Sequence, residues 1–272
     1  MNILEKIVAR KREEIAEAKT IRSISDLMQA PLFTRQTISL SAALKTAEKP
    51  QIISEFKRKS PSKGIINGDV NPAEVTSTYV AAGAAALSVL TDIDFFGGSF
   101  DDFAKAREAN PGIPMLRKDF MVDEYQLYEA KAIGADIVLL IAACLTAQEV
   151  RSLSLKAHEL GLEVLLEVHS AEELKETLCD SVDMVGVNNR NLKTFETSVE
   201  TSIELSQLIP DSFVKISESG LKDAETIARL YQHGYKGFLI GETFMKTVNP
   251  GAALQDLQND LSKFNHLNPL VV

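Results

Sequence analysis

From about residue 50 onward, apolar stretches of six or seven residues alternate with polar–apolar stretches of helical period. The apolar stretches are QIISEF (51–56), ALSVLT (86–91), IPMLRK (113–118), DIVLLIA (136–142), LEVLLEV (162–168), DMVGVN (183–188), FVKISE (213–218) and KGFLIG (236–241). Short, nearly continuous hydrophobicity predicts strands buried on both faces. Between them, AEVTSTYVAAG, EYQLYEAKAIG, AQEVRSLSLKAHELG and DAETIARLYQHG predict helices, each closing on a Gly suited to a C-cap. Strands that alternate with helices imply βαβ units and a parallel sheet. Eight such units in roughly 220 residues match a (β/α)8 TIM barrel. An open doubly wound sheet is the competitor, but it usually carries a glycine-rich turn after its first strand. Here that position reads KRKSPSKG, so the barrel is expected. Upstream, Leu4, Ile7, Val8 and Ile15 recur at helical spacing. They predict an N-terminal helical extension, residues 1–46, packed on a barrel of residues 47–272, with a single domain overall.

Barrel enzymes work at the C-terminal ends of their strands, and residues i and i+2 of a strand share a face. Ile53, Glu55 and Lys57 share one, as do Leu116 and Lys118, and Leu165 and Glu167. So do Gly186, Asn188 and Arg190, and Val214, Ile216 and Glu218. Five strands thus end in a charged or amide residue in phase with core positions. Any one alone is adequately read as a solvated strand end; five on the face where barrels do chemistry read as a site. Glu163, in phase with Glu167 at the opposite end, reads as a structural polar plug.

Charge narrows the partner class. The formal net charge is −9, and the pI near 5.1 argues against nucleic acid. Yet Lys57, Arg58, Lys59 and Lys63 crowd the end of the first strand, so anion recognition is local. The outer three read first as a solvated loop, and second as part of a lid over an anionic ligand. His158, His169, His233 and His266 lie far apart, outside metal-ligand spacing, so no metal is expected. Cys144 and Cys179 form no CxxC pair and read as reduced packing thiols of a cytoplasmic chain. The charged N-terminus is no signal peptide, and the apolar run Ile137 to Leu145 is too short to span a bilayer, so no membrane is expected.

The candidate residues fall into three groups. Lys57, Lys118, Glu55, Glu167 and Glu218 suit proton transfer, with Glu55 placed to hold the Lys57 ammonium. SESG (Ser217–Gly220) and IGE (Ile240–Glu242) follow strands seven and eight, where barrels often bind phosphate; Ser60 and Lys57 would complete that cradle. Phe95, Phe96 and Phe120 at strand mouths suit a flat ring, or equally cap the core.

These residues, in this order, resemble the indole-3-glycerol-phosphate synthase family over essentially the whole chain. The most specific motif is Glu55-Phe56-Lys57-Arg58-Lys59-Ser60-Pro61-Ser62. LTDIDFFGGS, LRKDF, GADIVLLI, LLEVH, VGVNNRNL, ISESG and FLIGETFM follow in collinear order. The resemblance implies a cofactor-free lyase of tryptophan biosynthesis, in its single-function form. Such an enzyme closes a ring, with loss of carbon dioxide and water, on a phosphorylated aromatic small molecule. It implies Lys118 as general acid on the ketone, Glu167 as the proton-handling group of dehydration and Lys57 near the departing hydroxyl. Glu55 would orient Lys57, while Asn188, Arg190 and Glu218 would bind or order polar parts of the substrate. Phe96, Phe120, Leu139 and Leu192 would line the ring pocket, with Ser219 at the same mouth. Ser60, Lys57, Gly220, Gly241 and the Glu242 backbone would hold the phosphate. A monomer is the expected working unit. Two positions depart from the common pattern: Asn191, where Asp is frequent, and Glu242, whose carboxylate should turn away from a phosphate. The alternatives are another phosphate-binding barrel, such as a sugar-phosphate isomerase or Schiff-base aldolase, or an inactive phosphometabolite-binding barrel.

Overall fold

The computed structural model describes residues 3–192 and 194–264; the remainder of the two predicted regions, including His266, lies outside the described residues. Eight parallel strands close a barrel: β1 (Gln51–Phe56), β2 (Ala86–Leu90), β3 (Met115–Lys118), β4 (Ile137–Ile141), β5 (Glu163–Val168), β6 (Met184–Asn188), β7 (Val214–Glu218) and β8 (Tyr235–Ile240). Each strand pairs with the next, and β8 returns to β1 in register from Gln51↔Gly237 to Ser54↔Ile240. β3 starts at Met115, after Pro114, which has no N–H to give a ladder.

Helices α1 (Ile3–Ile21), α2 (Ile24–Met28) and α3 (Leu40–Lys45) precede the barrel. Around it run α4 (Pro72–Ala81), α5 (Phe100–Ala109), α6 (Tyr125–Ala132), α7 (Ala147–Glu159), α8 (Ala171–Thr177), α9 (Glu200–Ser206), α10 (Ala224–Gln232), α11 (Glu242–Met245) and α12 (Pro250–Leu261). Most begin on a side-chain cap: Thr146 and Glu149 form a reciprocal capping box at α7, and Asp223 caps α10.

Alternation along the strands separates two apolar layers. Ile52, Leu87, Val89, Val138, Leu140, Val164, Leu166, Val185 and Val187 face the helices. Ile53, Leu116, Leu139, Leu165, Ile216 and Leu239 fill the barrel interior. α3 plugs the N-terminal end with Leu40 and Leu44, both buried among the interior residues. Glu163 completes that plug, as expected: its carboxylate accepts from the Leu40 and Ser41 N–H groups at 2.8 and 3.1 Å and from the Ser39 and Ser41 hydroxyls. With that end plugged, the barrel opens at the C-terminal ends of its strands. Among the described residues no helix is long and apolar enough to cross a membrane.

Candidate active site

At the C-terminal end of the barrel lies a cavity of about 450 Å³, of a size that takes a small organic ligand. The site residues implied by the resemblance all line it: Glu55, Lys57, Ser60, Phe96, Lys118, Phe120, Leu139, Glu167, Asn188, Arg190, Leu192, Glu218, Ser219, Gly220, Gly241 and Glu242. The reason is the strand period, which aims Glu55, Lys118, Glu167, Asn188 and Glu218 inward one step above the interior aliphatic layer. Phe95, the other candidate for the ring wall, packs against the interior apolar layer instead, and Ser217 lies in β7 outside the cavity lining.

Lys118 is the centre of the charged floor. Its Nζ donates to Glu218 Oε2 at 2.6 Å and to Glu167 Oε2 at 3.2 Å. Burial pushes the ammonium down, but Glu218, Glu167 and Glu55 together push it well above the ordinary lysine range. The two carboxylates respond in opposite directions. Burial raises both. Glu167 ends well below the usual carboxylate range because Lys118, His169 and Asn188 all favour its charge. Asn188 donates to Glu167 Oε1 at 3.1 Å. Among the described residues the Glu218 carboxylate is hydrogen-bonded by Lys118 and its buried Oε1 has no hydrogen-bond partner, so burial and the neighbouring Glu167 and Glu55 carry it upward. A second ammonium stands beside this group: Lys57 Nζ donates to Glu55 Oε1 at 2.5 Å.

Two glycines make room for these carboxylates. A Cβ on Gly186 would lie 2.4 Å from Glu218 Oε1, and one on Gly241 would lie 2.4 Å from Glu55 Oε1. In the loop after β7, Ser219 and Gly220 both have positive φ, 67° and 74°. A Cβ at Gly220 would meet Thr197 Cγ2 at 2.6 Å, so that turn requires glycine.

One wall is apolar. Phe96 and Phe120 stand with ring centroids 5.9 Å apart, beside Leu139. Ile3, Leu4 and Ile7 of α1 roof this wall. Sequence reasoning put α1 on the barrel without assigning it to the site; its apolar stripe was the available signal. Ile141, Ser62 and Thr197 also line the cavity and were not singled out.

The opposite rim is polar. Arg190 donates to the Ser62 hydroxyl and, through Nη2, to Glu242 Oε2 at 3.2 Å. Lys63 lies 3.8 Å from the same carboxylate. The Glu242 carboxylate thus faces Arg190 and Lys63, two cations of the same cavity wall, which offset its charge. Of the outer cations after β1, only Lys63 reaches the cavity. Arg58 is a clasp, bidentate to Asp102 at 2.8 and 2.9 Å and bonded to the Gly68 and Val70 carbonyls, and Lys59 donates to the Asp94 carbonyl. Asn191 accepts from the Thr194 N–H at 3.1 Å, which an Asp oxygen would do equally.

The arrangement offers a buried ammonium between two carboxylates, a flat apolar slot on one side and a cationic, glycine-bearing rim on the other. That combination suits an anionic ligand with a ring, whose reacting oxygen would be protonated at the floor.

Comparison with known proteins bears on this site. The family model for indole-3-glycerol phosphate synthase matches residues 4–257. A relative of that name from Bacteroides thetaiotaomicron is 51% identical over 255 residues, covering 94% of this chain and 97% of the relative. Another, from Polaromonas sp., is 43% identical over 259 residues, covering 94% and 98%. Among solved structures, 3-hexulose-6-phosphate synthase from Salmonella typhimurium aligns with a TM-score of 0.63 at 12% identity, over 79% of this chain and 99% of that one. Tryptophan synthase subunit alpha from Legionella pneumophila aligns with a TM-score of 0.61 at 13% identity, over 82% and 97%. At such identities these two share the fold alone.

Proposed function

The chain belongs to the indole-3-glycerol phosphate synthase family, and from that premise we propose how its residues divide the chemistry. The reaction is ring closure of 1-(2-carboxyphenylamino)-1-deoxy-D-ribulose 5-phosphate, with loss of carbon dioxide and water, to indole-3-glycerol phosphate. The substrate's aryl ring takes the slot between Phe96, Phe120 and Leu139, under α1, with Leu192 at its edge. Its phosphate takes the rim of Lys57, Ser60, Gly220, Gly241 and the Glu242 backbone. Arg190, Asn188 and Ser219 order the polar groups between.

Attack of the ring carbon on the ketone puts negative charge on the ketone oxygen. Lys118 stabilises that charge and protonates the oxygen, in a cavity where an oriented ammonium acts more strongly than in water. Glu218 and Glu167 hold the ammonium in one orientation, so the ordering is done before substrate arrives. Carbon dioxide then leaves and the ring regains aromaticity. In the dehydration, Lys57, held by Glu55, protonates the departing hydroxyl, and Glu167, poised as a carboxylate, takes the proton that completes the indole. Every step is assigned to side chains of this chain, and a single copy in the cytoplasm is the proposed working form.

The observation that carries this reading is the Lys118 ammonium buried at 2.6 and 3.2 Å from two carboxylates. It also argues against a Schiff-base aldolase, which needs a lysine of depressed pKa, whereas these neighbours drive Lys118 upward. The test is treatment with borohydride in the presence of substrate. Full activity after treatment is expected; a substrate-dependent covalent adduct on Lys118 or Lys57 would replace this reading with the aldolase one.

A further inference from the structure

Behind Glu167, on the side away from Lys118, lies a histidine that the reaction as described does not use. His169 follows the end of β5, and its side chain is 11% exposed. Its Nε2 lies 3.4 Å from Glu167 Oε1, without the alignment of a hydrogen bond, and has no hydrogen-bond partner among the described residues. Its Nδ1 lies 3.2 Å from Glu173 Oε2. The same Glu173 oxygen accepts from the His169 backbone N–H at 2.8 Å. Ser170 caps α8 through the Glu173 N–H, which fixes this carboxylate at the first turn. Glu173 itself is 26% exposed. The chain of groups therefore runs from solvent through Glu173 and His169 to Glu167, and on to Lys118.

A structural cap explains Glu173 on the backbone N–H, but not the ring turned so that Nε2 faces a catalytic carboxylate. The reaction's proton balance supplies a reason. A substrate with an ionised carboxylate, plus one proton, gives indole-3-glycerol phosphate, carbon dioxide and water. One proton must enter per turnover, and Lys118 and Glu167 are buried at the cavity floor, so a path that reaches them from behind can deliver it without crossing the substrate.

We infer that His169 and Glu173 form a proton entry path from solvent to Glu167, at the back of the substrate cavity. The imidazolium gives its Nε2 proton to Glu167 Oε1 as Glu167 passes a proton on to the Lys118 amine left when the ketone oxygen is protonated. The proton Glu167 takes in the dehydration offsets the one Lys57 gives the departing hydroxyl, so the net uptake is one proton per turnover. The neutral ring turns its bare nitrogen to Glu173 and takes up a proton from water through that carboxylate. Three titratable groups besides Lys118 face this ring's surroundings. Burial pushes His169 down, but Glu167 and Glu173 overcome it and raise the imidazole to about 10, so the ring is charged at neutral pH. Cys144, from the turn after β4, feels the same two carboxylates; burial and their charge raise its thiol to about 12, so it stays neutral.

This inference rests on the proton-handling role of Glu167 and is tested apart from it. Turnover of the carboxyphenylamino substrate by the unaltered protein is followed beside His169→Ala, Glu173→Gln and Glu167→Gln, with circular dichroism as the check on folding. The path predicts that His169→Ala lowers kcat about tenfold or more, with KM nearly unchanged, and that added imidazole restores turnover in a saturable way. Glu173→Gln, at the solvent edge, lowers kcat by a smaller factor and is not rescued by imidazole. Unchanged kcat in either His169→Ala or Glu173→Gln overturns the path, as does a loss in His169→Ala that imidazole does not repair. Full activity of Glu167→Gln would instead overturn the proposed function on which the path depends.

Discussion

Replacing Lys11 with Met removes a charge that is given no part in the chemistry, yet the structure gives it a large effect. Lys11 sits on α1 and is 4% exposed. Its Nζ lies 3.1 Å from Asp92, 3.0 Å from Asp119 and 2.7 Å from Glu14. Burial pushes the ammonium down, but Asp119, Asp92 and Glu14 push it further up. The two aspartates in turn hold the aromatic loops. Asp92 Oδ1 accepts from the Phe95 and Phe96 N–H groups, and Asp119 Oδ1 accepts from the Phe120 N–H. Lys11 thus ties α1 to both loops that carry the ring slot. Removing one partner of a buried ion pair costs about 3–5 kcal/mol. Asp119 keeps Arg117 and Thr91 as partners, and Met preserves the apolar stem, so the lower end, about 3 kcal/mol, applies. Since about 1 kcal/mol moves Tm by about 2–4 °C in a chain near this size, a fall of about 6–12 °C is expected. Thermal unfolding by circular dichroism reads it, and the substrate KM should rise in the same variant as the slot loosens. Adding Asp92→Asn to Lys11→Met should recover part of the loss, because the stranded carboxylate is gone. A Tm within about 2 °C of the parent, or strictly additive single-variant effects, would refute the reasoning.

Other predictions follow from single contacts. Glu242→Gln frees Arg190 and Lys63 from an internal carboxylate, so KM should fall severalfold with kcat little changed; steady-state kinetics at low salt checks it, and a raised KM would contradict it. Gly220→Ala forces a Cβ onto Thr197 at positive φ; a stability loss of about 1–3 kcal/mol by denaturant unfolding and a higher KM are expected. The His169 ring is raised in the folded protein above its ordinary 6.5 to about 10. Its ionic stabilisation is therefore full below pH 6.5 and lost as pH rises through 10. The Tm gap between the parent and His169→Gln should be widest at low pH and close above that range; a gap that widens with pH would contradict it.

What was legible in the sequence, and what was not, follows from the range of the interactions. The strands showed because an apolar run is local, and their polar ends showed because a two-residue period carries a core position to the next inward one: Leu165 leads to Glu167, and Leu116 to Lys118. Helix starts such as Thr146 with Glu149 are likewise local. The roof of Ile3, Leu4 and Ile7 was legible only as an amphipathic stripe, since nothing in α1 says which end of a barrel it covers. The tie from Lys11 to Asp92 and Asp119 joins segments far apart in the chain and leaves no periodic trace. Glu242 shows the same limit from the other side. A carboxylate beside a phosphate nest predicts repulsion until Arg190, brought over from another strand, is known to face it. His169 stood in a quoted motif, but its role depends on Glu173 folding back from the next helix.

The central claim is that Lys118 and Glu167, meeting at the floor of one cavity, move the protons of indole formation. The most direct measurement is formation of the fluorescent indole product from the carboxyphenylamino substrate, against a protein with no tryptophan of its own. The unaltered protein should form product without added metal or cofactor, while Lys118→Ala and Glu167→Gln each fall by about a hundredfold or more and still bind substrate. Full activity in either variant, or no product from the unaltered protein, would contradict the account.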